Sequence, residues 1–328
     1  MLLSVQNLVT HFFLEEGRLK AVDNISFNIQ EKETLALVGE SGCGKTIVAL
    51  SLLNLVPLPG KIVNGKVLFQ GQDLLKLDTQ HISQIRGNDI GMIFQEPGTA
   101  LNPVFTIGNQ IMEVLKRHLH FTNHESRKRA IELLGSMGIP DPESRYKAYS
   151  FELSGGMKQR VMIAMAMATH PKLLIADEPT TALDMTVQSE ILELLQYQQD
   201  KHGISILLIT HDLGVVKNMA HRVMVMYTGK IFEIASTDNL FDRPKHPYTQ
   251  GLLNSIPRLG SGRGQLPQGI PGSVPDLMNL PSGCTFHPRC SIGDDSCISE
   301  FPLIVETSPG HTCACFKVTP RTEIENQR

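Results

Sequence analysis

The sequence predicts an α/β protein built on a parallel sheet. Three observations carry this. The runs "ETLALVG", "PKLLIADEP" and "ISILLITHD" are short, largely apolar, and end in glycine, acidic or polar residues. Parallel strands covered on both faces read this way. The first run leads directly into "GESGCGKT" and then "IVALSLLNLV", giving the order strand, glycine loop, helix. A helical pattern, including "RKRAIELLGSMG", follows from about residue 107 to about 138.

The remaining elements follow in chain order. "MLLSVQNLVTHFF" predicts a strand, since it lacks the basic region, long apolar core and cleavage site of a signal peptide. "IVNGKVLFQGQDLL", residues 62–75, predicts strands joined by a turn, and "RVMVMYTGKIFEIA" predicts a hairpin. After about residue 257 Gly and Pro become frequent and apolar periodicity is lost. "RLGSGRGQLPQG" reads there as a linker, and a cysteine-rich segment follows it. There is no internal repeat, so each motif occurs once.

Composition narrows the function class. Of 328 residues, 41% are hydrophobic and 19% charged, as in soluble globular proteins. Thirty Lys and Arg face 33 Asp and Glu, which gives no global field for nucleic acid or anionic lipid. No apolar run approaches the roughly 18 residues of a membrane-spanning helix. The expectation is a cytoplasmic chain, where clustered cysteines point to metal or redox chemistry before structural disulfides.

"GESGCGKT", Gly39 to Thr46, fits G-x-x-x-x-G-K-[ST]. Gly39 and Gly44 permit a tight loop whose backbone N–H groups turn toward phosphates. Lys45 reaches the outer phosphates, and the Thr46 hydroxyl ligates Mg²⁺. Ser41 and Gly42 complete the expected binding loop, and the following helix aims its N-terminus at the same anion. Cys43 lies inside this loop, where backbone amides do the binding; its side chain is expected to be tolerated and to offer a target for thiol reagents. "LLIADE" places Asp177 at a strand end, near a metal shell, and Glu178 beside it to polarise an attacking water. In "LSGGMKQR", Ser154, Gly155 and Gly156 open a helix, and a Ser hydroxyl with free backbone N–H groups makes a second anion site.

Together these residues resemble the ATP-binding-cassette ATPases over roughly residues 1 to 255. The match includes Gln95 in "IFQEP", "LSGGM", "IADEPTTALD" and His211 in "LITHD", in the family's order. The resemblance implies a P-loop NTPase nucleotide-binding domain over residues 1–256. That domain would have a parallel α/β core, an antiparallel β subdomain and a helical subdomain at about 97–160, with residues 257–328 as a C-terminal extension. It implies two such domains docked head to tail, with ATP between the phosphate loop of one and the signature segment of the other. Lys45 and Thr46 would then bind phosphates and Mg²⁺. Gln95 would approach metal and water and sense the partner, and Asp177 would support Mg²⁺. Glu178 would be the general base, and His211 would contact the γ-phosphate. Ser154, Gly155 and Gly156 would complete the partner's site, and Asp184 would lie at the dimer interface. An aromatic near the N-terminus usually stacks on adenine; Phe12 is the candidate and Phe13 the next, because "VTHFF" departs from the usual tyrosine.

Three further stretches resemble the ATP-binding subunits of bacterial dipeptide/oligopeptide importers, whose relatives carry nickel: "QEPGTALNPVFTIGNQI", "RPKHPYTQGLLNSIP" and "IPGSVPDLMNLPSGCTFHPRC". "YSFELSGG" departs from their usual form before the signature. The implied partners are two transmembrane permease subunits, a second ATPase subunit and, indirectly, an extracytoplasmic binding protein. The implied place is the cytoplasmic face of the inner membrane. The rival reading is a soluble cassette ATPase acting on DNA or ribosomes. Such proteins usually show two cassettes or a long coiled-coil insertion, and neither is visible here.

Five of the six cysteines lie at the end of the chain. Five and six residues intervene between Cys284, Cys290 and Cys297, and Cys313 and Cys315 follow after 15 and 17 more. The residues leave open buried unligated thiols, a Cys₄ zinc site and an iron–sulfur cluster. Zinc sites favour cysteines two to four apart, which the first three do not supply. The importer resemblance implies a [4Fe–4S] cluster on Cys284, Cys290, Cys297 and Cys315, with Cys313 as an extra. Its expected role is to pin a tail with little apolar core, with redox sensing as the alternative.

Overall fold

The computed structural model describes residues 1–256 and 269–318. The stretch read as a linker lies outside the described residues except for its last glycine, Gly269. The chain divides into two compact units.

One unit comprises Met1–Leu2, Ile29–Glu33 and Lys76–Ile209. Its strands Ile90–Ile93, Leu173–Asp177 and Ser205–Ile209 lie side by side in that order, all parallel. Every residue of the last two is buried. That explains their near-continuous apolar sequence. The helical pattern after residue 107 becomes two helices, Ile107–Leu119 and Asn123–Ser136. Thr106 caps the first by accepting the Asn109 N–H, and Thr122 with Glu125 forms a reciprocal capping box on the second. Ile107, Ile111 and Leu115 recur on one buried face of the first helix. Gly108 stands among them because a Cβ there would meet the Tyr146 ring at 2.3 Å. Helices Gly155–Met167 and Met185–His202 complete the larger elements of this unit.

The other unit comprises Leu3–Asn28, Thr34–Leu75 and the described residues from Thr210 onward. A four-stranded sheet has the order Gly17–Ile29, Leu3–Leu14, Gly60–Phe69, Gln72–Asp73. Leu3–Leu14 and Gly60–Phe69 pair antiparallel, as do Gly60–Phe69 and Gln72–Asp73. A second set of strands begins with Thr34–Val38, which lies parallel to Arg222–Tyr227. That strand pairs antiparallel with Lys230–Ser236, giving the expected hairpin.

The tail extends this second set. His311–Cys313 pairs antiparallel with Lys230–Ser236, and Val305–Ser308 pairs with His311–Cys313. Phe286, Cys284 and Cys297 belong to the same apolar cluster as Val223, Val225, Tyr227, Phe232 and Tyr248. The expectation of a tail with little apolar core is therefore corrected: its aromatic and thiol side chains pack into the core of this unit. Glu233 fixes the junction. Its fully buried carboxylate accepts the backbone N–H groups of Lys245 at 2.7 Å and His246 at 2.9 Å, and lies 2.7 Å from His311 Nε2. A buried carboxylate is tolerable only with partners of this kind. Among the described residues no helix is long and apolar enough to cross a membrane.

Candidate nucleotide-binding site

The loop between the Thr34–Val38 strand and the Lys45–Leu52 helix needs its glycines for reasons of space. A Cβ on Gly39 would stand 2.2 Å from the Met226 carbonyl oxygen. One on Gly44, where φ is +106°, would stand 2.1 Å from the Ala21 carbonyl oxygen. Gly42 has φ +80°, and a Cβ there would meet nothing within 4 Å. The loop is thus pressed against the fold at two glycines and open at the third. Gly44 caps the helix in a left-handed conformation with no side-chain cap on the first N–H groups. Those donors suit an anion. Ser41, Gly42 and Thr46 are exposed, whereas Lys45 is buried. The Lys45 ammonium donates to the carbonyls of Gly39 at 2.8 Å and Glu40 at 3.1 Å, which stations its charge over the loop. A polyphosphate with Mg²⁺ fits this donor set.

Cys43 is fully buried, and burial raises its thiol pKa despite the nearby Lys45. A buried, protonated thiol is a poor nucleophile, so the expected sensitivity to thiol reagents is not supported.

In the other unit, Asp177 ends the Leu173–Asp177 strand and is 1% exposed. Glu178 follows with φ +46°, an uncommon conformation for a residue with a side chain. Its carboxylate Oε2 accepts from Gln95 Nε2 at 3.2 Å and from Thr181 Oγ1 at 2.8 Å. Gln95 and Glu178, 83 residues apart in sequence, therefore meet. Ser154 is the N-cap of Gly155–Met167, its hydroxyl accepting the Met157 N–H. Ser154 and Gly155 are exposed. Gly156 is crowded: a Cβ would stand 2.7 Å from Val187 Cγ1. Asp184 caps Met185–His202 by accepting the N–H groups of Thr186 and Val187. This cap was not read from the sequence, although Asp before a helical run signals one.

Three remaining candidates lie in the unit that holds the loop. His211 is exposed, just before the Leu213–Met219 helix. Phe12 is half-buried and pairs with Gly60; a Cβ on Gly60 would strike its ring at 2.8 Å. Phe13 is 46% exposed with Lys61 Nζ 6.0 Å from its ring centre.

The four cysteines Cys284, Cys290, Cys297 and Cys315 line one small pocket with His246, Phe286 and Phe316. Cys313 does not line it; it is fully buried elsewhere, near Glu233. Burial pushes the Cys284 thiol up to about 12, and the three neighbouring thiols add to the rise. Among the described residues no three His, Cys, Asp or Glu side chains are grouped to hold a single metal ion.

The comparisons with known proteins decide the family. Residues 22–181 match the family described as ABC transporter, and residues 232–297 match the oligopeptide/dipeptide transporter C-terminal region. The oligopeptide transport ATP-binding protein AppD of Bacillus subtilis is 50% identical over 96% of this chain and 96% of its own. The chain belongs to the ATP-binding subunits of oligopeptide/dipeptide ABC transporters. Another member, the probable peptide ABC transporter ATP-binding protein y4tR of Sinorhizobium fredii, is 47% identical over 97% of this chain and 95% of its own. The dipeptide transport ATP-binding protein DppD of Escherichia coli is 44% identical over 96% of each chain. Among solved structures, the ATP-binding cassette MJ0796 bound to ADP and Pi superposes with a TM-score of 0.65 at 27% identity. That match covers 72% of this chain and 98% of the other. The α/β cassette fold expected from the sequence is thus shown. The second family match begins inside the Lys230–Ser236 strand.

Proposed function

We infer that this ABC transporter subunit binds and hydrolyses ATP to power import of di- or oligopeptides through partner permeases. The loop Gly39–Thr46 carries the ATP reading, because two of its glycines are required by contacts under 2.5 Å and the helix that follows has no side-chain cap on its first N–H groups. The peptide reading rests on the printed names of the relatives and on the C-terminal match.

The residue roles follow as proposals. Backbone N–H groups of residues 39–46, with Ser41 and Lys45, hold the phosphates. The Thr46 hydroxyl and Asp177 hold Mg²⁺, which supplies neutralising charge for phosphoryl transfer. Glu178 takes the proton of the attacking water, and Gln95, which donates to that carboxylate, approaches metal and water and senses the partner subunit. His211 contacts the γ-phosphate, Phe12 stacks on adenine, and Ser154, Gly155 and Gly156 face the nucleotide of a second ATPase subunit, with Asp184 at that interface. Two permeases and an extracytoplasmic binding protein complete the assembly at the cytoplasmic face of the inner membrane.

The test is concentration dependence. The isolated chain hydrolyses ATP weakly, because Ser154 serves another subunit's site. Adding a partner subunit with an intact phosphate loop raises the rate. Full activity that does not change on dilution of the isolated chain rules this assembly out.

We also propose that the pocket of Cys284, Cys290, Cys297 and Cys315 holds a [4Fe–4S] cluster with a structural role; zinc is the alternative. Its support is the meeting of four cysteines from separate segments in one apolar pocket. Anaerobic purification followed by iron, sulfide and zinc analysis is expected to find iron and sulfide, retained in Cys313→Ser and lost in Cys315→Ser. One zinc without iron eliminates the cluster.

A further inference from the structure

The phosphate loop carries one carboxylate, that of Glu40, and the C-terminal segment grips it. Arg289 Nη1 donates to Glu40 Oε2 at 2.7 Å, and Nη2 donates to Oε1 at 3.0 Å. This is the two-pronged guanidinium–carboxylate pair that fixes geometry as well as charge. The Arg289 side chain is 4% exposed and that of Glu40 27%. The remaining donors of Arg289 are also used. Nε donates to the Pro271 carbonyl at 2.9 Å, and Nη1 donates to the Tyr227 hydroxyl at 3.2 Å. The guanidinium stands 5.8 Å from the Tyr227 ring centre and 5.9 Å from that of Phe286. The Glu40 backbone is held as well: its N–H donates to the hydroxyl of Tyr248 at 2.9 Å, and Tyr248 is fully buried. Both ends of one loop residue are therefore fixed by groups more than 200 positions away in sequence.

We propose that Arg289 is a positioning residue of the phosphate loop, through which the C-terminal segment holds Glu40 and neutralises the one negative charge the loop presents to a polyphosphate. The proposal rests on the nucleotide-binding reading above. Gly39 and Ser41 flank Glu40, so a carboxylate released there is free to swing toward the bound anion. Its repulsion acts on phosphate charge and not on a base or ribose. A purely structural Arg289 would lower stability and affect every ligand alike.

The experiment uses the full chain and titrates MgATP and adenosine against wild type, Arg289→Met, Arg289→Lys and the double variant Glu40→Gln/Arg289→Met. Amide hydrogen exchange is followed across residues 39–46. Arg289→Met is expected to weaken MgATP about tenfold, the size of one uncompensated charge interaction, with adenosine unchanged and loop exchange faster. Arg289→Lys recovers part of the loss. The double variant recovers most of it, because no carboxylate is left unpaired. The proposal is overturned if Arg289→Met binds MgATP as wild type does. It is equally overturned if the double variant binds as weakly as Arg289→Met, since the loss is then one of packing. Wild type that fails to bind MgATP overturns the nucleotide reading itself and is recognisable by that control.

Discussion

Glu178→Gln is expected to keep ATP binding and lower hydrolysis about 10²–10⁴-fold, the usual contribution of a general base. The carboxylate is already placed: Gln95 and Thr181 both donate to its Oε2. Its backbone sits at φ +46°, a conformation that costs on the order of 1–3 kcal/mol and that the surrounding contacts must hold. A glutamine occupies the same volume and keeps one acceptor oxygen, so the placement survives while the basic lone pair is lost. The measurement is phosphate release by the assembled transporter beside an equilibrium binding titration with ATP. A rate close to the parental one removes Glu178 from the role of base.

Gly44→Ala is expected to weaken ATP binding by ~10–100-fold. Two costs add. A φ of +106° disfavours any side chain, and the new methyl group would stand 2.1 Å from the Ala21 carbonyl oxygen, which is backbone and cannot rotate away. The strain alone is worth roughly 1–3 kcal/mol, and each 1.4 kcal/mol is about tenfold in a binding constant. Gly42→Ala is the control. It carries a positive φ of +80° but opens onto free space, so its loss should be clearly smaller. Equal losses in the two variants, read by binding titration, contradict the steric account.

Much of this was legible in the sequence, for identifiable reasons. The buried parallel strands Leu173–Asp177 and Ser205–Ile209 announced themselves because strands covered on both faces have no polar side to interrupt the apolar run. The phosphate loop was legible because backbone crowding leaves glycine as the one residue that fits at Gly39 and Gly44. The tail was misread. Loss of apolar periodicity suggested a segment with little core of its own, whereas Phe286, Cys284 and Cys297 borrow the core made by Tyr227, Phe232 and Tyr248. Periodicity reports long regular elements, and this stretch packs through short ones, such as the helix Asp295–Ser299 that carries Cys297, and through single residues between them. The link from Arg289 to Glu40 was likewise hidden. An Arg in "HPRC" and a Glu in "GESG" are 249 positions apart, and nothing local marks either as the other's partner.

The junction at Glu233 has a consequence for how the chain is made. The Lys230–Ser236 strand has one neighbour from nearby sequence, Arg222–Tyr227, and its other neighbour is His311–Cys313. His311, which stands against the Glu233 carboxylate, lies 78 residues further along. At a synthesis rate of about 5–20 residues per second, roughly 4 to 16 s pass between the two leaving the ribosome. During that interval the strand offers an open hydrogen-bonding edge, and its carboxylate lacks the imidazole it will be buried with. The open edge is a surface on which another nascent chain could pair before the proper strand arrives. Among the described residues, the strands that cover this edge are thus made late, and a ribosome that stalls before His311 leaves it open.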